Sequence, residues 1–138
     1  KIKNCTRSRA PHFPWLLAKN RALGKNYELS LVFIGKHRSR TLNRVHRGKD
    51  KPANVLSFSL TPHLGEIFLN LNSRENLFYL FIHGLCHLAG FAHGSKMEDT
   101  ENSLGRFFGF NFNEERNCRG PRYRDRLHPR DRGRAGSK

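Results

Sequence analysis

His83 and His87 stand four residues apart, and His93 follows beyond Gly90. On a helix, two residues four apart lie on one face, one above the other. Gly90 tolerates the left-handed backbone that turns a chain back, so His93 can approach the same point from a loop. Three imidazoles converging, with no fourth protein ligand nearby in sequence, describe a catalytic zinc site with one position left for water. Zinc held in this way lowers its water's pKa to about 7 and stabilises a developing oxyanion. A single histidine in an apolar stretch is ordinarily a satisfied core residue. The threefold spacing about a glycine is what outweighs that reading here.

The same four positions fit the metzincin zinc-protease pattern H-E-x-x-H-x-x-G-x-x-H. Its glutamate, which takes a proton from zinc-bound water, is replaced by Gly84. The metal frame is therefore expected without the protease base, which argues against peptide hydrolysis. Cys86 lies between the first two histidines but points about 100° away from His87 on a helix, so it is expected to pack rather than to ligate. Glu66 admits two readings: a base or hydrogen-bond partner for a ligand histidine, and a solvated strand residue.

Arg44, Arg47, Lys49 and Lys51 cluster ahead of a strand signal, in a segment that Gly48 and Pro52 mark as a loop. An arginine fork suits a pair of phosphate oxygens, and lysines add field strength. A solvated basic loop is the plainer reading. Beside a candidate metal site, the cluster points to phosphodiester binding, with Asp50 bracing the loop by pairing with one of the bases.

The elements that must position these groups alternate between strand and helix patterns. Residues 13–23 read as a helix with Gly24 as its stop. Tyr27, Leu29, Leu31 and Phe33 share one face of a strand. Lys36 to Val45 admits a short helix with Leu42 and Val45 inward. Leu56, Phe58 and Leu60 line one face of a strand over 54–60, Pro62 and Gly65 turn the chain, and Ile67, Leu69 and Leu71 line the next strand. Ser73 is the expected cap of a buried central helix carrying Leu77, Phe78, Phe81, Ile82, Leu85 and Leu88, which Gly90 stops. Ser95 with Glu98 forms a capping box for a last helix presenting Met97, Thr100, Leu104, Phe107 and Phe108 and ending at Gly109. The expected fold is a single α+β domain, a small mixed sheet packed on helices with a central metal-binding helix.

The 138 residues leave room for one such domain, and the formal charge of +15 predicts attraction to polyanions. Residues 116–138 hold 9 basic and 2 acidic side chains. Leu127 is their one aliphatic residue larger than alanine. An expected domain over 1–112 is thus followed by an arginine-rich tail over 113–138, too polar to order itself. Three separated cysteines, Cys5, Cys86 and Cys118, give neither a disulfide scaffold nor a Cys-x-x-Cys pair, which favours a reducing compartment. No secretion leader is apparent, and the apolar run from Leu77 to Ile82 is far too short to span a bilayer.

Thr41-Leu42-Asn43, Arg47-Gly48-Lys49-Asp50-Lys51-Pro52, Asn54-Val55-Leu56-Ser57-Phe58, Gly65-Glu66-Ile67 and the block from His83 to His93 together resemble the YbeY family of metal-dependent endoribonucleases. The resemblance runs from Tyr27 to Phe108, roughly 60% of the chain. It implies one zinc ion per chain on His83, His87 and His93, and cleavage of single-stranded RNA during rRNA maturation in the cytoplasm. Arg47 matches the family's arginine that serves the RNA phosphate, a catalytic role, with Arg44, Lys49 and Lys51 as RNA-binding neighbours. The implied partners are rRNA and ribosomal particles, with a ribosomal-protein or GTPase partner, no membrane and a monomeric chain. Four departures stand out. Ala92 replaces the family's aspartate before the third histidine, and Cys86 replaces a leucine. The segment before the histidine helix is short, and the tail is not a family feature. A non-catalytic zinc-containing ribosome- or rRNA-binding module is the alternative: Ala92 and the missing glutamate at Gly84 favour it, and the open three-histidine shell opposes it.

Overall fold

A computed structural model describes residues 1–112; the expected arginine-rich tail over 113–138 lies outside the described residues. Eight elements follow one another: β1 (Ile2–Asn4), α1 (Trp15–Leu23), β2 (Glu28–Ile34), α2 (Lys36–Arg47), β3 (Val55–Thr61), β4 (Leu64–Asn70), α3 (Leu77–Leu88) and α4 (Ser95–Phe107). The strands form one sheet in the order β1-β2-β4-β3. β1 and β4 run parallel to β2, and β3 pairs antiparallel with β4, which makes this the expected small mixed sheet.

Strand alternation assigns the two faces of the sheet. Leu31 pairs with Ile67 and Phe33 with Leu69, and all four are buried on the face that meets α1 and α3. There Trp15 sits edge-on to Phe33 and Phe81, at centroid distances of 5.5 and 4.8 Å. Leu56, Phe58 and Phe68 point the other way. On that side the Phe58 ring lies 5.9 Å from Phe68 and 5.0 Å from His46 of α2. Because Val32 and Ile34 are buried as well, β2 is covered on both faces. Leu60, expected inward, is 54% exposed near the end of the outer strand.

Helix α2 departs from the expected pattern. Its buried residues are Ser39 and Asn43, while Val45 is 66% exposed. The cause is the loop after the helix, which folds back along it. Ser39 Oγ donates to the Ala53 carbonyl (2.6 Å) and accepts from the Ala53 amide (2.8 Å). Asn43 Nδ2 donates to the Lys51 carbonyl (2.8 Å). Polar side chains thus satisfy a loop backbone that would otherwise be left without partners. The helix also runs on to Arg47, so Arg44 and Arg47 belong to its last turn and only Lys49 and Lys51 to the loop.

Helix α3 is capped by Asn76, whose side chain accepts from the Tyr79 amide (2.9 Å), in place of the expected Ser73. Leu77, Phe78, Phe81, Ile82 and Leu85 are buried as expected, and Leu80 joins them. Gly94 rather than Ser95 precedes α4 as its cap. Phe107, expected inward, is 56% exposed and carries the Arg21 guanidinium 3.6 Å above its ring. Both helices stop where their glycines indicated. In α3 the Gly90 amide donates to His87 (3.0 Å) and the Phe91 amide to Cys86 (3.0 Å), the paired bonds of a Schellman end. Among the described residues no helix is long and apolar enough to cross a membrane.

Candidate metal centre

The four-residue spacing on α3 brings the rings of His83 and His87 together edge to face, with centroids 4.6 Å apart. Gly90, at φ +102°, then turns the chain so that His93 comes back from the loop. Its ring centroid lies 5.3 Å from His83 and 4.7 Å from His87. One ligand nitrogen from each of the three falls within 4.8 Å of the others. This is the one grouping of histidine, cysteine, aspartate or glutamate among the described residues that could hold an ion.

Hydrogen bonds on the far side of two rings fix which nitrogen faces the cluster. His83 Nδ1 lies 2.6 Å from Glu101 Oε2, and with the carboxylate as acceptor it is Nδ1 that carries the proton. Tyr79 Oη donates to the other Glu101 oxygen (3.3 Å). His87 Nδ1 donates to the Phe91 carbonyl (3.2 Å). Both Nε2 atoms are thereby left as lone-pair donors, and they face one another at 3.2 Å. At that distance the two nitrogens are satisfied by a metal ion bound to both or by a proton shared between them. Tetrahedral zinc with bonds of about 2.05 Å would set its ligands about 3.3 Å apart. The donor set and the His83–His87 spacing fit a tetrahedral metal ion, with the His93 nitrogen within 4.8 Å of both.

Electrostatics favour the ligand form of His87. Burial, followed by the neighbouring His83 and His93, pushes its pKa below the usual imidazole value, so the ring is neutral at pH 7. Cys86 is 1% exposed, and burial together with the Glu101 charge drives its thiol up to about 12. It packs as a neutral side chain and stands outside the cluster.

Gly84 also has a packing reason. A Cβ there would come within 3.1 Å of Ile67 Cδ1, because α3 lies close on β4 at this point. A side chain in its place would require Ile67 to give by a few tenths of an ångström.

The residues singled out in the sequence fall into two groups. The three histidines are brought together. Arg44, Arg47, Lys49 and Lys51 are exposed at the end of α2 and in its loop, on the sheet face opposite α3. Asp50 does brace this loop, but through Arg40, with contacts of 2.8 and 3.1 Å. Glu66 lies on β4 across from Phe58 of β3, and the carboxylate that holds a ligand histidine is Glu101 instead. Glu101 was not singled out from the sequence. Its signal was its place between Met97 and Leu104 at helical spacing, a carboxylate on a buried face, 3% exposed.

A family model described as Endoribonuclease YbeY matches residues 7–104. Among curated proteins, an Endoribonuclease YbeY of Neorickettsia sennetsu is 34% identical over 93 residues, covering 54% of this chain and 65% of the relative. One from Campylobacter fetus is 35% identical over 97 residues, covering 59% of this chain and 72% of that protein. The chain thus spans about two thirds of the length of the relatives it matches. The solution structure of a Thermotoga maritima protein shares the fold, with a TM-score of 0.50 and 21% identity over 75% of this chain and 85% of that one.

Proposed function

This chain belongs to the YbeY family of endoribonucleases, and from that premise we propose that it is a zinc-dependent endoribonuclease that cuts single-stranded RNA in rRNA maturation. The observation that carries the reading is the pair of Nε2 atoms facing one another at 3.2 Å, with both Nδ1 atoms engaged behind them. His83, His87 and His93 would hold the ion. Zinc supplies Lewis-acid polarisation of a phosphoryl oxygen and activates water near neutral pH. Glu101 and the Phe91 carbonyl keep two of the rings in the ligating tautomer. Arg47 offers a planar fork to an RNA phosphate, and with Arg44, Lys49 and Lys51 it would hold the strand on the sheet face opposite the ion rather than act at the scissile bond. On this reading the chain works as a monomer on rRNA in ribosomal particles, in the cytoplasm, with a ribosomal-protein or GTPase partner.

The lack of a proton-transfer group beside the histidines favours the non-catalytic rRNA-binding alternative. Ala92 is an exposed position without a proton-transfer group, Gly84 has no side chain, and Glu101 is turned to the back of His83. The test is cleavage of a single-stranded RNA by the full chain, with zinc and after chelation. Cleavage confined to the zinc form, and lost together with zinc in His87→Ala, is the expected result. Zinc retained in full by His87→Ala would sink the site. Zinc bound without cleavage would favour the binding module.

A further inference from the structure

We propose that the solvent face of α2, with the loop folded behind it, is a second RNA-docking surface, separate from the histidine centre and on the opposite side of the sheet. This rests on the nuclease reading above and concerns how that centre gets its substrate. The helices that build the centre do not attract RNA. Helix α3 has no Lys, Arg, Asp or Glu, and α4 has Lys96 and Arg106 against Glu98, Asp99 and Glu101.

The attraction is concentrated elsewhere. Residues 36–51 hold seven basic side chains and one acid, Asp50. Lys36, Arg38, Arg40, Arg44 and Arg47 are all exposed on α2, which contains no acidic residue. Asp50 is committed to Arg40. Lys36 and Arg38 stand in the first turn, where the helix dipole disfavours cations. Lys36–Arg40 and Arg40–Arg44 are like-charged pairs at four-residue spacing, which weaken a helix. An arrangement that is unfavourable in the isolated protein becomes favourable against a line of phosphates.

The route between the two surfaces follows from the sheet. Phe58 and Phe68 face α2 while their neighbour Ile67 faces Gly84 of α3, so the two helices lie back to back across the β3–β4 pair. β3 is an outer strand, and its edge is the short way round. Two helices packed on opposite faces of one sheet lie about 20 Å apart, at about 10 Å per layer. At about 3.4 Å per nucleotide that is about six nucleotide steps. A strand long enough to turn the β3 edge touches both surfaces, and a tetranucleotide touches one.

The experiment compares the full chain with a Lys36→Gln/Arg38→Gln variant, which leaves the Arg40–Asp50 pair, Arg44 and Arg47 intact. Affinity for a single-stranded 20-nucleotide RNA should fall about tenfold at low salt. The slope of log affinity against log salt should shrink by about 1.4, for two phosphates lost. KM for the long RNA should rise with kcat unchanged, and a tetranucleotide should bind and react as before. A Lys36→Arg/Arg38→Lys variant should keep wild-type binding. An unchanged slope, an equal loss on the tetranucleotide, or failure of the charge-keeping variant would overturn the proposal. Loss of binding to acidic phosphatidylserine vesicles without loss of RNA affinity would overturn it in favour of a lipid surface. If the wild-type chain cuts no RNA while the binding losses appear as described, the nuclease reading fails and the docking surface stands.

Discussion

His83 presents its outward nitrogen to the cluster because Glu101 accepts a hydrogen bond from the N–H of the inward one. Glu101→Gln keeps the shape and removes the charge, so zinc affinity should fall about tenfold or more. Titration against a competing chelator reads this directly, and equal affinity would show the bond to be idle. Arg47 belongs to a different argument. Its loop is already braced by Arg40 and Asp50, so Arg47 is not needed as an anchor. Arg47→Lys keeps the charge and loses the fork. Cleavage of a long RNA at low concentration should drop about tenfold, about 1.4 kcal/mol, through KM rather than kcat, while the melting temperature barely moves. Measured on one preparation, a lower melting temperature with activity falling in step would return Arg47 to a structural role. At this scale the three histidines were legible because spacing alone places them on one helical face and a turn. Glu101 was not, since a carboxylate in an amphipathic helix looks like part of its solvent face until the burial of Met97 and Leu104 reveals which face it shares.

Elements were legible where apolar periodicity drove them and obscure where polar groups did. β2, β4, α3 and the stops at Gly90 and Gly109 follow from side-chain alternation and glycine chemistry. β1 does not, because Ile2, Lys3 and Asn4 are all exposed and only backbone pairing to β2 defines the strand. The inner face of α2 was misjudged for a related reason: a loop seeking hydrogen-bond partners outweighed Leu42 and Val45. The end of α3 invites the most direct test. Gly90 stands at φ +102°, with open space where a Cβ would go. Gly90→Ala should therefore cost about 1–2 kcal/mol of backbone energy without a clash. A melt should show a fall of about 4 °C or more, and zinc affinity should weaken with it. An unchanged melt would mean that the turn adopts another conformation.

For the whole molecule, the mixed sheet with helices on both faces matches the α+β class that alternating strand and helix patterns indicated. Charge is the other global property, +15 in all, with nine basic residues in the last 23. RNA affinity should fall steeply with salt, and deleting residues 113–138 should flatten that slope while zinc content stays unchanged. A slope that survives the deletion would show that those residues do not touch RNA. The placement of positive charge away from the histidines was not legible, because it depends on which sheet face each helix covers.

Phe91 makes two main-chain bonds at the end of α3. Its amide closes the end of α3 on Cys86, and its carbonyl holds His87 Nδ1. Fraying of the helix and loss of the ligating tautomer are then a single event, and coupling between two equilibria is reciprocal. Zinc should accordingly slow hydrogen–deuterium exchange at the Phe91 and Gly90 amides well beyond its effect on amides in α1. Each ion bound would then be recorded as deuterium not taken up at a helix terminus that it never touches.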